Sequence, residues 1–243
     1  MVRRVAHSHR HPGRPGHTAL RVGRSRAVAP SDDTPAQRLG TRPQGCRSGR
    51  PRLGLVQNGG VTIGGLDEPW NVARSLDDLA AATIDFLEGR LQETPLHGGL
   101  PNPESLPLIP TLVAMNRAGF VTTDSQPGSI NEPTRRVQRA YVEGICHEAT
   151  AARIERGLLT EDLVMVSFAP GSDVDSSIVV TVSHGSPCTF LGRWSVEELD
   201  HFRNGLASLD ADLDAAWAIQ IFDPQWARND RLWTAVLRAL TTD

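Results

Sequence analysis

The sequence has no lysine, a single tyrosine and only three cysteines in 243 residues. Without lysine there is no phosphate loop. Gly64-Gly65 and Gly98-Gly99 are followed by no Lys-Ser/Thr pair and preceded by no strand. Cys46, Cys146 and Cys188 are widely spaced and form neither a CxxC pair nor a zinc spacing. Reduced thiols in a cytoplasmic protein are therefore expected, with no metal and no cofactor. There is no apolar run of about 18 residues, so no membrane helix is expected. Arg3 and Arg4 are followed by no apolar run of about 7–15 residues, so no secretory signal is expected either. No internal repeat, heptad run or complete catalytic signature is found.

The charges that are present are unevenly placed. All 25 basic residues are arginine, and twelve of them fall within residues 1–65 against two acids, Asp32 and Asp33. That segment is formally +10 and the remainder −13, so the net −3 conceals two opposed parts. Six Pro and eleven Gly also lie in residues 1–65, where apolar residues are scattered and without period. Such a stretch cannot bury enough surface to offset the entropy of ordering it. Residues 1–65 read as a disordered basic arm, or as upstream sequence translated from a misplaced start, with the true start near Val61. As an arm it would bind nucleic acid non-specifically through phosphates, since it has no aromatic residue to stack on bases. His7, His9, His11 and His17 reflect its composition rather than a metal site. Residues 66–243 are long enough for one domain with a real core.

The most informative stretch is Leu106–Gly128, LPLIPTLVAMNRAGFVTTDSQPG. Leu108, Ile109, Leu112 and Val113 repeat as one face of a helix that Gly119 stops. Phe120–Thr123 then reads as a strand running into a polar turn, Asp124–Gly128. Upstream, Ser75 caps a helix carrying Leu76, Leu79, Ala80, Thr83, Ile84 and Leu87 on one face. Downstream, residues 137–146 alternate as one strand, and 147–158 read as a helix. Strands follow at 163–168 and 178–183, with a short partner at 189–191 across the His184–Pro187 turn. Ser195–Glu198 is a capping box for a helix reaching Leu206. A last strand spans 217–222, and Asn229 caps a terminal helix. The predicted class is α+β (mixed α/β): a mixed sheet of about five or six strands with about five helices packed on it.

Several blocks resemble an uncharacterised domain family of actinobacteria. They are Trp70 with Ala73-Arg74-Ser75-Leu76, Leu87-Glu88-Gly89, Pro107–Gly128, Gln138-Arg139-Ala140 with Val142-Glu143-Gly144, and Phe222–Trp233. The resemblance spans about residues 66–243, leaves the basic arm outside, and implies an order of elements but no activity. The helix, Gly-aromatic step, Thr-Thr and Ser-containing turn around residues 114–128 are also similar to the opening of the wybutosine-synthesis methyltransferase family and to small phage proteins. Those turns carry Ser-Cys and a Gly, where this sequence has Ser125-Gln126-Pro127.

Polar residues where a strand ends are the natural place for a site. Asp124, Ser125 and Gln126 would present a carboxylate, a hydroxyl and an amide there, although the same residues satisfy turn backbone. Asp223 ends the last strand, and Arg228 could grip an anion bidentately, while Asn229 and Asp230 read as helix-start residues. Arg139, with Arg135 and Arg136, is a basic run that is either a solvated face or an anion contact. His184 near Cys188 would be a base beside a thiol; His147 and His201 read as surface or packing residues. The function these residues suggest is a module binding a small polar molecule or a partner protein near Asp124–Gln126. Two alternatives stand: an enzyme with Asp124 or Asp223 as acid/base and Gln126 and Arg228 orienting substrate, and a nucleic-acid-associated protein acting through the arm.

Overall fold

In the computed structural model the described residues are Arg3–Arg4, 68–96, 99–172, 177–192, 202–203, 206 and 209–242. The arm, the upstream start and the capping box at Ser195–Glu198 lie outside them, Arg3–Arg4 apart.

Helix α1 (Glu68–Val72) leads into α2 (Leu76–Leu87), which begins where expected. The Ser75 hydroxyl accepts from the Asp78 N–H at 3.1 Å, and Leu76, Leu79, Ala80, Thr83 and Leu87 are buried. The Trp70 indole donates to the Glu93 carbonyl at 3.0 Å and so fastens α1 to the chain beyond α2. A 3-10 turn (Pro103–Leu108) feeds α3 (Ile109–Arg117).

The passage from α3 to strand β2 (Phe120–Gln126) is held by Asn116, which is 1% exposed. Its amide donates to the Leu112 carbonyl and to Thr122 Oγ1, both at 2.8 Å, and its Oδ1 accepts from the Thr122 N–H at 3.2 Å. Gly119, at φ +82°, supplies the left-handed step that turns the chain there.

Two antiparallel sheets follow. The first takes β2, β5 (Tyr141–Cys146), β9 (Trp217–Phe222) and β6 (Val164–Phe168), in the order β6-β9-β5-β2. Beside β6, β1 (Arg3–Arg4) pairs parallel with Val164–Met165. The second has the order β3-β4-β7-β8, from β3 (Ser129–Asn131), β4 (Arg136–Gln138), β7 (Ser177–Ser183) and β8 (Ser186–Gly192). Helices α4 (Glu148–Leu158), α5 (Asp210–Ala215) and α6 (Leu232–Thr241) complete the described elements.

The α+β class therefore stands, with the strands shared between two sheets rather than gathered in one. The residues expected as a single strand at 137–146 are two. The chain leaves the second sheet after Gln138 and enters the first at Tyr141, with the Arg139 N–H held by the Val180 carbonyl at 2.8 Å. The strand expected to end at Thr123 runs on to Gln126, with a register shift between Thr122 and Asp124.

In the first sheet, alternate residues face opposite ways. Val142, Cys146, Ile219 and Ile221 join the main core with residues of α2, α3, α4 and α6. On the opposite face, Tyr141 and Phe222 pack with Val180 and Leu191 of the second sheet. Gly144 permits the close approach of β5 to β2, because a Cβ there would overlap the Val121 carbonyl and the Phe120 ring.

Asn116→Ala would leave the Thr122 N–H and hydroxyl without their partner in a half-buried turn. The expected loss is about 1–3 kcal/mol, read as a lower urea midpoint at unchanged m-value.

Candidate functional site

Asp124, Ser125 and Gln126 are not turn residues: they are the last three positions of β2, and Asp124 lies opposite Glu143 of β5. Asp124 Oδ1 accepts from the Ser125 N–H at 2.7 Å, and its Oδ2 accepts from the Tyr141 hydroxyl at 2.9 Å. Ser125 is buried. Gln126 Oε1 accepts from Gln138 Nε2 at 3.2 Å. Gln138, 1% exposed, also donates to the Pro127 carbonyl at 2.9 Å. Its Oε1 accepts from Arg136 at 2.8 Å and from the Thr181 hydroxyl at 3.2 Å.

Asp223 is fully buried. Its Oδ2 accepts from Arg228 Nε at 2.5 Å and its Oδ1 from the Gln225 N–H at 2.8 Å. Arg228 reaches on to the Asp162 carbonyl at 3.1 Å. The carboxylate of Asp223 raises the Arg228 pKa above its ordinary value. Asn229 does not cap the last helix. Its Oδ1 accepts from the Gly128 N–H at 3.0 Å and from the Trp233 indole at 2.9 Å, while α6 starts after Arg231 with no side-chain cap. The Arg139 guanidinium lies 4.2 Å from the Trp226 ring centroid and 5.6 Å from that of Phe222, and donates to the Val179 carbonyl at 3.0 Å. Burial lowers its pKa.

Residues 126–128, 138–140 and 223–229 are thus brought together. Backbone bonds from Ala227 to Gln138 (3.0 Å) and from Asp223 to Ala140 (2.9 Å) complete the junction. His184 stands apart in the β7–β8 turn at φ +51°, its Nδ1 3.1 Å from the Ser183 hydroxyl.

A cavity of about 290 Å³ opens elsewhere, against the Ile145–Ala218–Phe168 end of the first sheet. None of Asp124, Ser125, Gln126, Arg139, His184, Asp223 or Arg228 lines it. Its polar wall includes Thr123, Glu143, Ser172 and Gln220, and its apolar wall includes Phe168, Phe202 and Leu213. Arg203 and Asp214, paired at 2.5 Å and more exposed, also line it.

Glu143 and Gln220 face each other across β5 and β9 and are 7% and 3% exposed. Gln220 Nε2 donates to Glu143 Oε2 at 3.0 Å and to the Gly192 carbonyl at 2.6 Å. The Gly192 carbonyl can only accept, which fixes the amide's orientation. Gln220 Oε1 is then a buried acceptor with no donor, and the Thr123 hydroxyl at the β2 irregularity is also buried and unpartnered.

These lining residues escape a motif search, yet a trace of them is in the sequence. Glu143 in YVEGIC and Gln220 in WAIQIF are polar centres of otherwise apolar strands. A polar residue buried in that way needs a reason.

Two buried titratable groups of β5 are displaced upward. Burial pushes the Cys146 thiol up to about 12. Burial first, then the charges of Asp124 and Glu143, raises Tyr141 well above its usual value. Neither Cys146 nor Cys188 forms a disulfide. Among the described residues no cluster of three or more His, Cys, Asp or Glu could hold a metal. Nor is any described helix long and apolar enough to cross a membrane.

The class defined by this architecture is an α+β domain of two antiparallel sheets backed by helices. The chain belongs to a family described as a domain of unknown function (DUF6919), whose model matches residues 65–243. No curated protein matches the chain.

Two outcomes follow from these buried groups. Because folding holds the Cys146 and Tyr141 protons more tightly, the unfolded chain releases them first as pH rises. Stability is therefore complete below about pH 9 and falls progressively toward about pH 12, which urea denaturation at stepped pH would measure. Separately, Arg228→Ala leaves the Asp223 carboxylate buried without its cation. The melting temperature by calorimetry falls, and adding Asp223→Asn recovers part of the loss.

Proposed function

We propose that residues 66–243 form a small-molecule binding domain whose ligand occupies the cavity walled by Thr123, Glu143 and Gln220. The observation that carries this reading is the Glu143–Gln220 pair. It is a buried polar couple in two apolar strands, lining an open space and keeping one acceptor unmet. Leaving such an acceptor unmet costs about 1–3 kcal/mol, and a ligand donor would remove that cost. Pockets with apolar walls and a few convergent polar groups are the usual form of ligand sites.

This moves the expected site along β2, from Asp124–Gln126 to Thr123. The acid/base reading of Asp124 and Asp223 has less support, because each carboxylate already has a hydrogen bond at both oxygens. The bonds of Gln126 and Arg228 favour a role in joining segments over one in orienting substrate. A cytoplasmic setting accords with Cys146 and Cys188 being outside any disulfide.

The test is a fragment panel of amines, alcohols, carboxylic acids and nucleosides, followed by ligand-observed NMR on the full chain. Some members should bind the wild type and lose binding to Ala218→Trp, which fills the cavity. Circular dichroism would check that this variant stays folded. Binding that survives the tryptophan, or a panel with no binder at all, would overturn the reading.

A further inference from the structure

The amide of Gln220 sets what the cavity can accept. Both of its N–H hydrogens are committed, one to Glu143 Oε2 at 3.0 Å and one to the Gly192 carbonyl at 2.6 Å. What this side chain has left is an oxygen. Gln220 is 3% exposed and lines the cavity, and its Oε1 is buried with no donor. A carbonyl or an ether cannot satisfy that oxygen; an O–H or an N–H can. The Thr123 hydroxyl, also buried and unpartnered, can donate or accept and so imposes no choice of its own.

Charge narrows the class further. Among the described residues lining the cavity, the ionisable ones are Glu143, Arg203 and Asp214, and each is already engaged. Glu143 accepts from Gln220 and has a further interaction besides. Arg203 donates to Asp214 at 2.5 Å, in the more exposed part of the lining. A ligand cation would have to displace the partners of Glu143 or Asp214, and a ligand anion would have to draw Arg203 from Asp214. Either one otherwise brings an unbalanced charge into a partly desolvated space. An uncharged donor meets the open acceptor and leaves these pairs intact.

The rest of the wall is largely apolar, from Ile145, Phe168, Phe202, Leu213 and Ala218. A volume of about 290 Å³ suits a compact body rather than a polymer. Resting on the cavity reading above, we propose that the ligand class is a compact uncharged molecule with an apolar body and a hydroxyl or N–H group that donates to Gln220 Oε1. Its apolar part lies against Phe168 and Phe202.

The experiment compares related probes on the full wild-type chain by isothermal titration: 2-phenylethanol, its methyl ether, phenethylamine and 3-phenylpropionate. The alcohol should bind about ten-fold tighter than each of the others, since it alone offers an uncharged donor. Gln220→Met keeps the length of the side chain but removes its oxygen, and there the alcohol and the ether should bind alike. Circular dichroism checks that this variant stays folded; if it does not, the wild-type comparison decides. An ether that binds the wild type as well as the alcohol rules out the donor, and an amine or a carboxylate that does so rules out the uncharged class. An alcohol that keeps its advantage in folded Gln220→Met rules out Gln220 as its acceptor. In each of these cases loss of the probes from Ala218→Trp keeps the cavity as the site, and their survival there removes the cavity as well. If no probe binds while other members of the fragment panel do, and those are lost from Ala218→Trp, this ligand class falls and the cavity stands. Absence of every binder removes both.

Discussion

The relation between the two sheets depends on one buried side chain, Gln138. Its amide spans from β4 to Gln126 and to the Pro127 carbonyl, and its oxygen takes protons from Arg136 and Thr181. Besides Arg136 on its own strand, those partners lie on two other stretches of chain, the end of β2 in the first sheet and β7 in the second. At 127–128 and at 139–140 the chain passes from one sheet to the other within two residues, and Gln138 sits between these two crossings. A buried amide with every group satisfied is specific in a way that apolar packing is not, since its partners have fixed positions. Around it the Asp223–Arg228 pair, the Gly128–Asn229 bond and the stack of Arg139 on Trp226 close the junction. Gly128 belongs to this junction for a steric reason, because a Cβ there would run into the Arg228 carbonyl.

Much of the local structure was legible because it rests on local chemistry. Ser75 and Gly119 each act within a few residues, and the helix and strand they introduce form where the sequence puts them; the hairpin after β7 also forms, but its turn is only His184-Gly185 and β8 begins at Ser186, ahead of the partner expected at 189–191 beyond Pro187. The split at 139–140 was not legible. Strand parity runs unbroken from Val137 to Ile145, so the alternation of a single strand and that of two strands in different sheets look the same. The end of β2 was hidden for a related reason. Asp, Ser and Gln before Pro-Gly carry the composition of a turn, but pairing with Tyr141–Glu143 overrides that preference. Asn229 shows the same limit at a helix start, where a distant Gly128 and a near Trp233 claim the side chain that capping would have used.

The candidate site was legible only in outline. Reading polar residues near strand ends led to Asp124–Gln126 and Asp223–Arg228, and in the fold those residues join segments to one another. Their bonds are made with other parts of the chain, leaving little for a ligand. The Glu143–Gln220 pair carries no motif, because its meaning comes from a cross-strand register between residues 77 positions apart. Only the polarity of one residue in each apolar strand marks it beforehand.

The location of the cavity follows from how the second sheet meets the first. Val180 and Leu191 cover Tyr141 and Phe222, which occupy one end of the shared face. Two residues along each strand come Glu143 and Gln220, and two further come Ile145 and Ala218, beside Phe168 of β6. There the described cover comes from the chain after β6, from Phe202 and Arg203 and from α5, with only Gly192 contributed by the second sheet. A face that is apolar at both ends and polar between them needs something at its far end to complete the desolvation begun at the near one. Leucine at position 143 or 220 would pack without the cost of an unmet acceptor. The pair still ties β9 to the end of β8 through the Gly192 carbonyl, so it is the unmet Gln220 oxygen, rather than the pair as a whole, that a ligand in the space would answer.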